Sequence, residues 1–219
     1  MEHSAEVLTG NEIVEALNWR YATKKFDPEK KLSIEQVESL LETIRLSASS
    51  MGLQPYRFIH VKDEALRREL REHSYDQSQI TDASELIVFA AKDEFTDEDI
   101  SQIVEREGEI RGYDKEKIEK RVKSVTKYVR SKNSDEFFAW TARQTYIAIG
   151  KLLTAAALMK IDACPMEGIK GKSYDRILEL ETLNLRSLAV VTLGFRSEND
   201  AYASKPKVRL PKEKIIKTF

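Results

Sequence analysis

Two short basic segments carry the side chains best suited to holding an anion. Arg20 and Lys24 lie near the start of the chain, and Lys207 and Arg209 lie near its end. Small or loop-forming residues flank each pair and leave room for a ligand. Either pair alone is typical of solvated surface. Together they would suit one phosphate group, because arginine and lysine donate charge-assisted hydrogen bonds to its oxygens. The composition does not show whether the two pairs meet.

The familiar motifs for nucleotide binding and nucleophilic catalysis are missing. Residues 168–173 read Gly-Ile-Lys-Gly-Lys-Ser and imitate a P-loop, but Met166 stands where that motif needs its first glycine. Neither the Gly-x-Gly-x-x-Gly of a Rossmann domain nor the Gly-x-Ser-x-Gly of a nucleophile elbow occurs. We therefore interpret residues 168–173 as a loop that leads into a helix.

The cysteine and histidine content argues against a metal site or a nucleophilic thiol. Cys164 is the only cysteine, and the three histidines lie far apart, so no disulfide and no zinc spacing is present. Cys164 has no histidine near it in sequence, and we interpret it as a small buried hydrophobic residue. We assign no catalytic acid, base or nucleophile and no metal ligand.

Charge and composition limit the partners and the compartment. Lysine and arginine number 36 and aspartate and glutamate 37, so the sequence does not predict a global nucleic-acid surface, although the chain is basic from Lys205 onward. Residues 1–6 lack the basic region and apolar run of a signal peptide, and a lone cysteine suits a reducing cytosol. We expect a cytoplasmic protein that binds neither nucleic acid nor a membrane.

The longest apolar stretch is Phe137–Ile161, and the other elements of the fold should pack around it. Its alanines and leucines favour a helix, capped by Ser134 or Asp135, that is buried on most sides. Charged residues interrupt it too often for a membrane span. Whether a second subunit covers part of this core helix stays open.

The remaining pattern predicts few strands among many helices, hence an α+β fold. Residues 1–219 contain no repeat or linker, so we expect a single domain. The apolar chain end, 215–219, needs a surface to dock on. In the first helix, capped by Asn11, Ile13 and Leu17 should face inward, with Val14 and Ala16 as further candidates. The other predicted elements are helices after Ser33 and Thr96 and over 64–72, 114–130 and 174–180, with strands over 56–61, 86–91 and 188–194.

Four segments occur in an order that matches a known family. They are Arg20–Phe26 (RYATKKF), Ser47–Pro55 (SASSMGLQP), Pro165–Gly168 (PMEG) and Lys207–Pro211 (KVRLP). So arranged, they resemble the FMN-dependent nitroreductase family, specifically its oxygen-insensitive NAD(P)H nitroreductase and dihydropteridine reductase branch. The resemblance runs over residues 17–211 and is thinnest over 93–130.

The resemblance implies an architecture. The family fold is α+β, with a central mixed sheet flanked by helices, a long buried core helix and a C-terminal tail that wraps over the partner in a homodimer. Two FMN molecules lie at the dimer interface, and each contacts both chains. This arrangement would account for the apolar core helix and for the apolar chain end.

The resemblance also implies residue roles. Arg20, Lys207 and Arg209 would hold the FMN phosphate, helped by the backbone of 21–22, and Lys24 would lie beside the N1/O2 edge of the flavin ring. Ser49, Ser50 and Gly52 would come from the other subunit, and 165–168 would line the ring. The full cofactor-binding set so implied is Arg20, Tyr21, Ala22, Lys24, Ser49, Ser50, Gly52, Asp76, Gln79, Pro165, Met166, Glu167, Gly168, Lys207 and Arg209.

Several positions depart from the family pattern. Tyr21-Ala22 stands where this branch commonly has His-Ser, and Gly52 replaces a common Asn. Asp76 stands where relatives have Asn and could accept from flavin N3–H, but an ionised carboxylate donates nothing to the adjacent carbonyls. Gln79 stands where relatives often have Lys. The loss of that positive charge predicts a lower flavin reduction potential than in relatives with Lys.

The implied activity is an oxidoreductase reaction of the ping-pong type. NAD(P)H would reduce FMN and leave, and a nitroaromatic, a quinone or a similar small molecule would then take the electrons. A flavin or dihydropteridine reductase, a non-catalytic flavin-binding protein, and an anion-binding module that uses the basic tail remain alternatives.

Overall fold

One antiparallel sheet lies at the centre of residues 7–219, the part of the chain that this computed structural model describes. Its strands are β1 (Tyr56–Val61), β2 (Glu85–Lys92), β3 (Asp162–Met166) and β4 (Leu185–Gly194), in the order β1-β2-β4-β3. Every neighbouring pair is antiparallel. The α+β class is confirmed.

The expectation of a mixed sheet is wrong for the strands of the described chain. Parallel pairing is confined to one isolated bridge, between Ala22 and Ala163 at the open edge of β3. It does not extend, because the next N–H groups, of Lys24 and Lys25, donate to the carboxylate of Asp200. The segment thus leaves the sheet after a single pair.

Among the strands of the described chain, β1, β2 and β4 match predicted segments, although β4 begins at Leu185 and not at 188. The strand β3 was not predicted. The β1 limits match the prediction, and β2 is buried from Leu86 onward, as a central strand should be. Cys164 is fully buried in β3, as expected of a small hydrophobic residue. Pro165 fits β3 because this is an edge strand, which can tolerate a residue without an N–H donor.

The core helix is α7 (Ser134–Leu158), and it packs against β2. A capping box formed by Asn133 and Glu136 starts it, so the predicted caps at Ser134 or Asp135 are wrong by one or two positions. Within the described chain Tyr146 and Ile147 remain 41% and 47% exposed. One face of the core helix is therefore open.

Helices cover both faces of the sheet. The helices other than α7 are α1 (Gly10–Trp19), α2 (Ile34–Arg45), α3 (Glu64–Glu72), α4 (Gln79–Asp82), α5 (Asp97–Arg111), α6 (Lys115–Arg130), α8 (Gly171–Ile177) and α9 (Lys212–Ile215). On one face α7 joins α2 around Phe89 and Leu152, and on the other α3, α4 and α8 pack around Val88 and Tyr174.

Local capping signals set several helix starts correctly. Capping boxes begin α2 at Ser33 and α5 at Thr96, as predicted. The start of α1 is different: Thr9, not Asn11, is its cap. Ile13 and Leu17 do not face inward, since they are 36% and 38% exposed, and α1 buries only Ala16.

The chain end is not docked on its own chain. Ile215 and Ile216 are 63% and 55% exposed, and the Phe219 ring has no cover among the described residues. Over residues 7–219, none of the helices has the length and apolar character needed to cross a membrane.

Candidate cofactor-binding site

One cleft of about 360 Å³ brings the two basic pairs together. Two segments of the chain line it, 18–24 and 202–209, and we call them its two walls. Arg20 and Lys24 belong to the first segment, and Lys207 and Arg209 belong to the second. The Lys207 ammonium donates a hydrogen bond to the backbone carbonyl of Arg20, although the two residues are 187 positions apart in sequence. We call this region the cation cleft; the remaining residues that line it are Asn18, Trp19, Tyr21, Ala22, Tyr202, Ala203, Lys205 and Pro206.

The cations of the cleft have no ion-pair partner in the described part of the chain. Among the ion pairs of residues 7–219, none involves Arg20, Lys207 or Arg209. Burial and the neighbouring Arg209 lower the pKa of Arg20, and burial together with Arg20 and Arg209 lowers the pKa of Lys207. The buried Nε of Arg20 has no hydrogen-bond acceptor in the described chain. This donor set fits a phosphate group.

The cation cleft borders β3 near the start of that strand. The N–H of Thr23 donates to the carbonyl of Ala163 at 3.3 Å, so residues 20–24 run beside this edge strand. Pro165 and Met166 end β3, and Glu167 and Gly168 follow it. The expected phosphate-binding and ring-lining segments are therefore neighbours in the fold.

Gln79 lies behind this edge. It is buried at the start of α4, near enough to Cys164 to affect the pKa of that thiol. Burial raises the pKa of Cys164, while Lys24, Gln79 and Arg20 act in the opposite direction. Gln79 thus lies close to the cation cleft without lining it.

Asp76 does not face the β3 edge. It pairs with Arg71, with Nε and Oδ1 2.7 Å apart, and its side chain is 83% exposed. The neighbouring Gln77 makes the contact instead, since its Nε2 donates to the carbonyl of Gly168 at 3.0 Å. Sequence reasoning missed Gln77; its only signal was its place in the polar stretch before α4.

Ser49, Ser50 and Gly52 are not brought to the cation cleft of the same chain. They belong to a short 3-10 turn in which the N–H of Ser50 donates to Oε1 of Gln144, in α7, at 2.8 Å. Gly52 has a φ of +71°, which glycine adopts without strain. It lines a separate cleft beside α5 and α6.

A side-chain contact joins the core helix to the end of β3. The Tyr146 hydroxyl donates to Oε1 of Glu167 at 2.5 Å. Burial, and next this bond to Glu167, raise the pKa of Tyr146 to about 12. Tyr146 therefore does more than pack in the core helix, because its hydroxyl holds the Glu167 side chain toward α7.

Comparisons with known proteins identify the family. The family model described as the nitroreductase family matches residues 17–195. A Staphylococcus haemolyticus protein that bears the name NAD(P)H nitroreductase is 36% identical over 214 residues, covering 93% of this chain and 95% of that protein. A Bacillus subtilis protein of the same designation, YfkO, is 33% identical over 231 residues, covering 94% and 96%. The chain belongs to the nitroreductase family, and it is an oxidoreductase.

Solved structures show the same fold at low identity. A nitroreductase-like protein of Streptococcus mutans superposes with a TM-score of 0.82 at 18% identity, over 96% of this chain and 100% of that one. A protein of Exiguobacterium sibiricum described as a nitroreductase, in complex with FMN, gives 0.80 at 19% identity, over 98% and 99%.

Proposed function

We propose that this protein is an FMN-dependent oxidoreductase that takes electrons from NAD(P)H and passes them, by a ping-pong mechanism, to nitroaromatics, quinones or similar small acceptors. The observation that carries the proposal is the cation cleft beside β3, in which Arg20, Lys207 and Arg209 form no ion pair with any carboxylate of residues 7–219. The FMN-bound relative and the NAD(P)H nitroreductase names of similar proteins support it.

Each part of the site would have a separate task. Arg20, Lys207 and Arg209 would hold the phosphate, with the backbone of 21–22. Lys24 would stabilise negative charge at the N1/O2 edge of the ring, which favours the reduced state. Residues 165–168 would line the ring, with Gln79 behind them. FMN, when bound, would supply the hydride and electron transfer for which this chain has no side chain of its own.

We further propose a homodimer in the cytoplasm. The exposed apolar side chains of α1, of α7 and of the chain end support a second copy as their cover, and residues 49–52 would complete the partner's site. Light scattering on the purified protein should give the mass of two chains. A stable single-chain mass at micromolar concentration would contradict this proposal.

The alternatives differ in what the flavin does. A flavin or dihydropteridine reductase would use the same cleft, with nitro reduction as an incidental activity. A non-catalytic flavin-binding protein would hold FMN without consuming NAD(P)H. Steady-state rates with a panel of nitroaromatics, quinones, free flavins and pterins separate the first alternative from the main proposal.

The deciding experiment is a visible absorption spectrum under anaerobic conditions, before and after addition of NADPH or NADH. A yellow protein that bleaches supports the proposal. A yellow protein that does not bleach favours flavin binding without turnover. A protein that stays colourless after incubation with FMN would refute the proposal.

The Gln79 position offers a test of flavin tuning. Gln79→Lys should raise the midpoint potential of bound FMN on the order of 30 mV, about 1.4 kcal/mol for a two-electron couple, because a nearby cation stabilises the reduced flavin. Gln79→Glu should shift the potential the other way. Potentiometry of the three proteins checks this, and no upward shift with lysine would defeat it.

A further inference from the structure

Asp200 is a buried carboxylate that sequence reasoning did not single out. It is 4% exposed, in the turn that follows β4. Its Oδ2 accepts hydrogen bonds from the N–H of Lys24 at 2.8 Å, the N–H of Lys25 at 3.1 Å and the Tyr21 hydroxyl at 2.9 Å. Its Oδ1 accepts from the N–H of Tyr202 at 2.9 Å.

These bonds join the two segments that form the cation cleft. Three of the donors belong to 21–25, which carries Lys24 and follows Arg20 directly. The fourth, Tyr202, begins the approach to Lys205, Lys207 and Arg209. Asp200 therefore holds both walls in place.

The carboxylate does this without neutralising the cleft. Asp200 takes part in none of the ion pairs of residues 7–219. Burial would raise its pKa, but the hydrogen bonds from Tyr202, Lys24, Lys25 and Tyr21 outweigh burial and hold the pKa below its usual range. Asp200 is thus ionised at neutral pH, and the cleft cations stay available to an external anion.

We propose that Asp200 is the positioning residue of the phosphate site, which it builds by tying residues 21–25 to the turn that leads to Lys207 and Arg209. This inference rests on the proposed FMN-binding function. Asp200 would not touch FMN; it would set the spacing of the groups that do.

The direction in which FMN affinity changes on removal of the carboxylate distinguishes a positioning role of Asp200 from a purely electrostatic one. A carboxylate near a bound phosphate repels it, so on charge alone the removal of that carboxylate would tighten FMN binding. Positioning predicts the reverse. In Asp200→Asn an amide NH₂ group replaces one of the two carboxylate oxygens. This NH₂ group cannot accept a hydrogen bond, so the N–H groups that donated to the lost oxygen have no acceptor. The two walls would separate, and phosphate binding would weaken.

The test compares FMN with riboflavin, which lacks the phosphate. Affinities for both flavins are measured by fluorescence quenching for the wild type, for Asp200→Asn and for Asp175→Asn. The ratio of FMN to riboflavin affinity should fall about tenfold in Asp200→Asn, and a general loss of structure would not change this ratio.

Asp175 is the matched control: it is 7% exposed and accepts the N–H of Ser187 at 2.7 Å, but it lies in α8 and does not line the cleft. Its variant should keep the wild-type ratio.

Each outcome decides between the two proposals. A ratio in Asp200→Asn that stays the same or rises overturns the inference. A wild-type protein that binds no flavin, or binds FMN no better than riboflavin, refutes the proposed function and the inference with it.

If circular dichroism shows that Asp200→Asn is unfolded, Tyr21→Phe is tested in its place, since Tyr21→Phe removes one hydrogen-bond donor to Asp200 and keeps the carboxylate charge. Its ratio should fall about threefold, and an unchanged ratio overturns the inference.

Discussion

Replacing Arg20 by alanine should weaken FMN binding about a hundredfold, close to 3 kcal/mol. Arg20 is partly buried in the cleft, and its buried Nε has no acceptor among the described residues. A desolvated guanidinium gains more from an anion than an exposed one does, because water screens the exposed charge. The substitution leaves the backbone carbonyl that anchors Lys207, so the loss reports on the Arg20 side chain. The substitution also removes the repulsion between Arg20 and Arg209, and this offsets a small part of the lost affinity.

Two further variants calibrate this result. Arg209→Ala should weaken binding less, about tenfold, because its side chain is exposed. Arg68→Ala, on α3, removes an exposed arginine that does not line the cleft, and it should leave FMN affinity unchanged. Isothermal titration with FMN measures all three. Equal affinities for Arg20→Ala and the wild type would mean that the phosphate is not held at this cleft.

Local signals account for the elements that the sequence predicted well. The Ser33–Gln36 and Thr96–Asp99 spacings each satisfy orphan N–H groups at a helix start, and neither depends on distant residues. The same signal was present and missed at Thr9–Glu12, where Asn11 competed as a cap. The uninterrupted apolar run of β2 likewise predicts its own burial.

Long-range pairing accounts for what the sequence alone did not predict. No local pattern indicates that Lys207 meets Arg20, or that Asp200 takes the N–H groups of Lys24 and Lys25. The Ser197-Glu-Asn-Asp200 stretch looks like an ordinary polar turn, and only the fold shows that its last carboxylate is buried. Only the family resemblance predicted that the two basic pairs would meet in one cleft. The same resemblance implied a mixed sheet, which is wrong for this chain's own strands.

Arg67 should be among the most important polar side chains for stability. It is 6% exposed in α3, and its guanidinium donates to the carbonyls of Ile80 at 2.7 Å, Ala83 at 2.6 Å and Ser84 at 3.1 Å. These carbonyls end α4 and lead into β2, the central strand. Arg67→Leu would leave buried acceptors unpaired, and we expect it to lower the free energy of unfolding by about 3 kcal/mol.

The next residue provides the control, because it is the same amino acid on the same helix. Arg68 is 65% exposed and makes only an ion pair of 3.7 Å with Glu64, so Arg68→Leu should change stability by less than about 0.5 kcal/mol. Urea unfolding followed by circular dichroism measures both. Similar losses in the two variants would indicate that an arginine-to-leucine change on α3 destabilises through the helix itself. A loss confined to Arg67→Leu would show that the three carbonyl contacts hold α4, and with it Gln79, against the sheet.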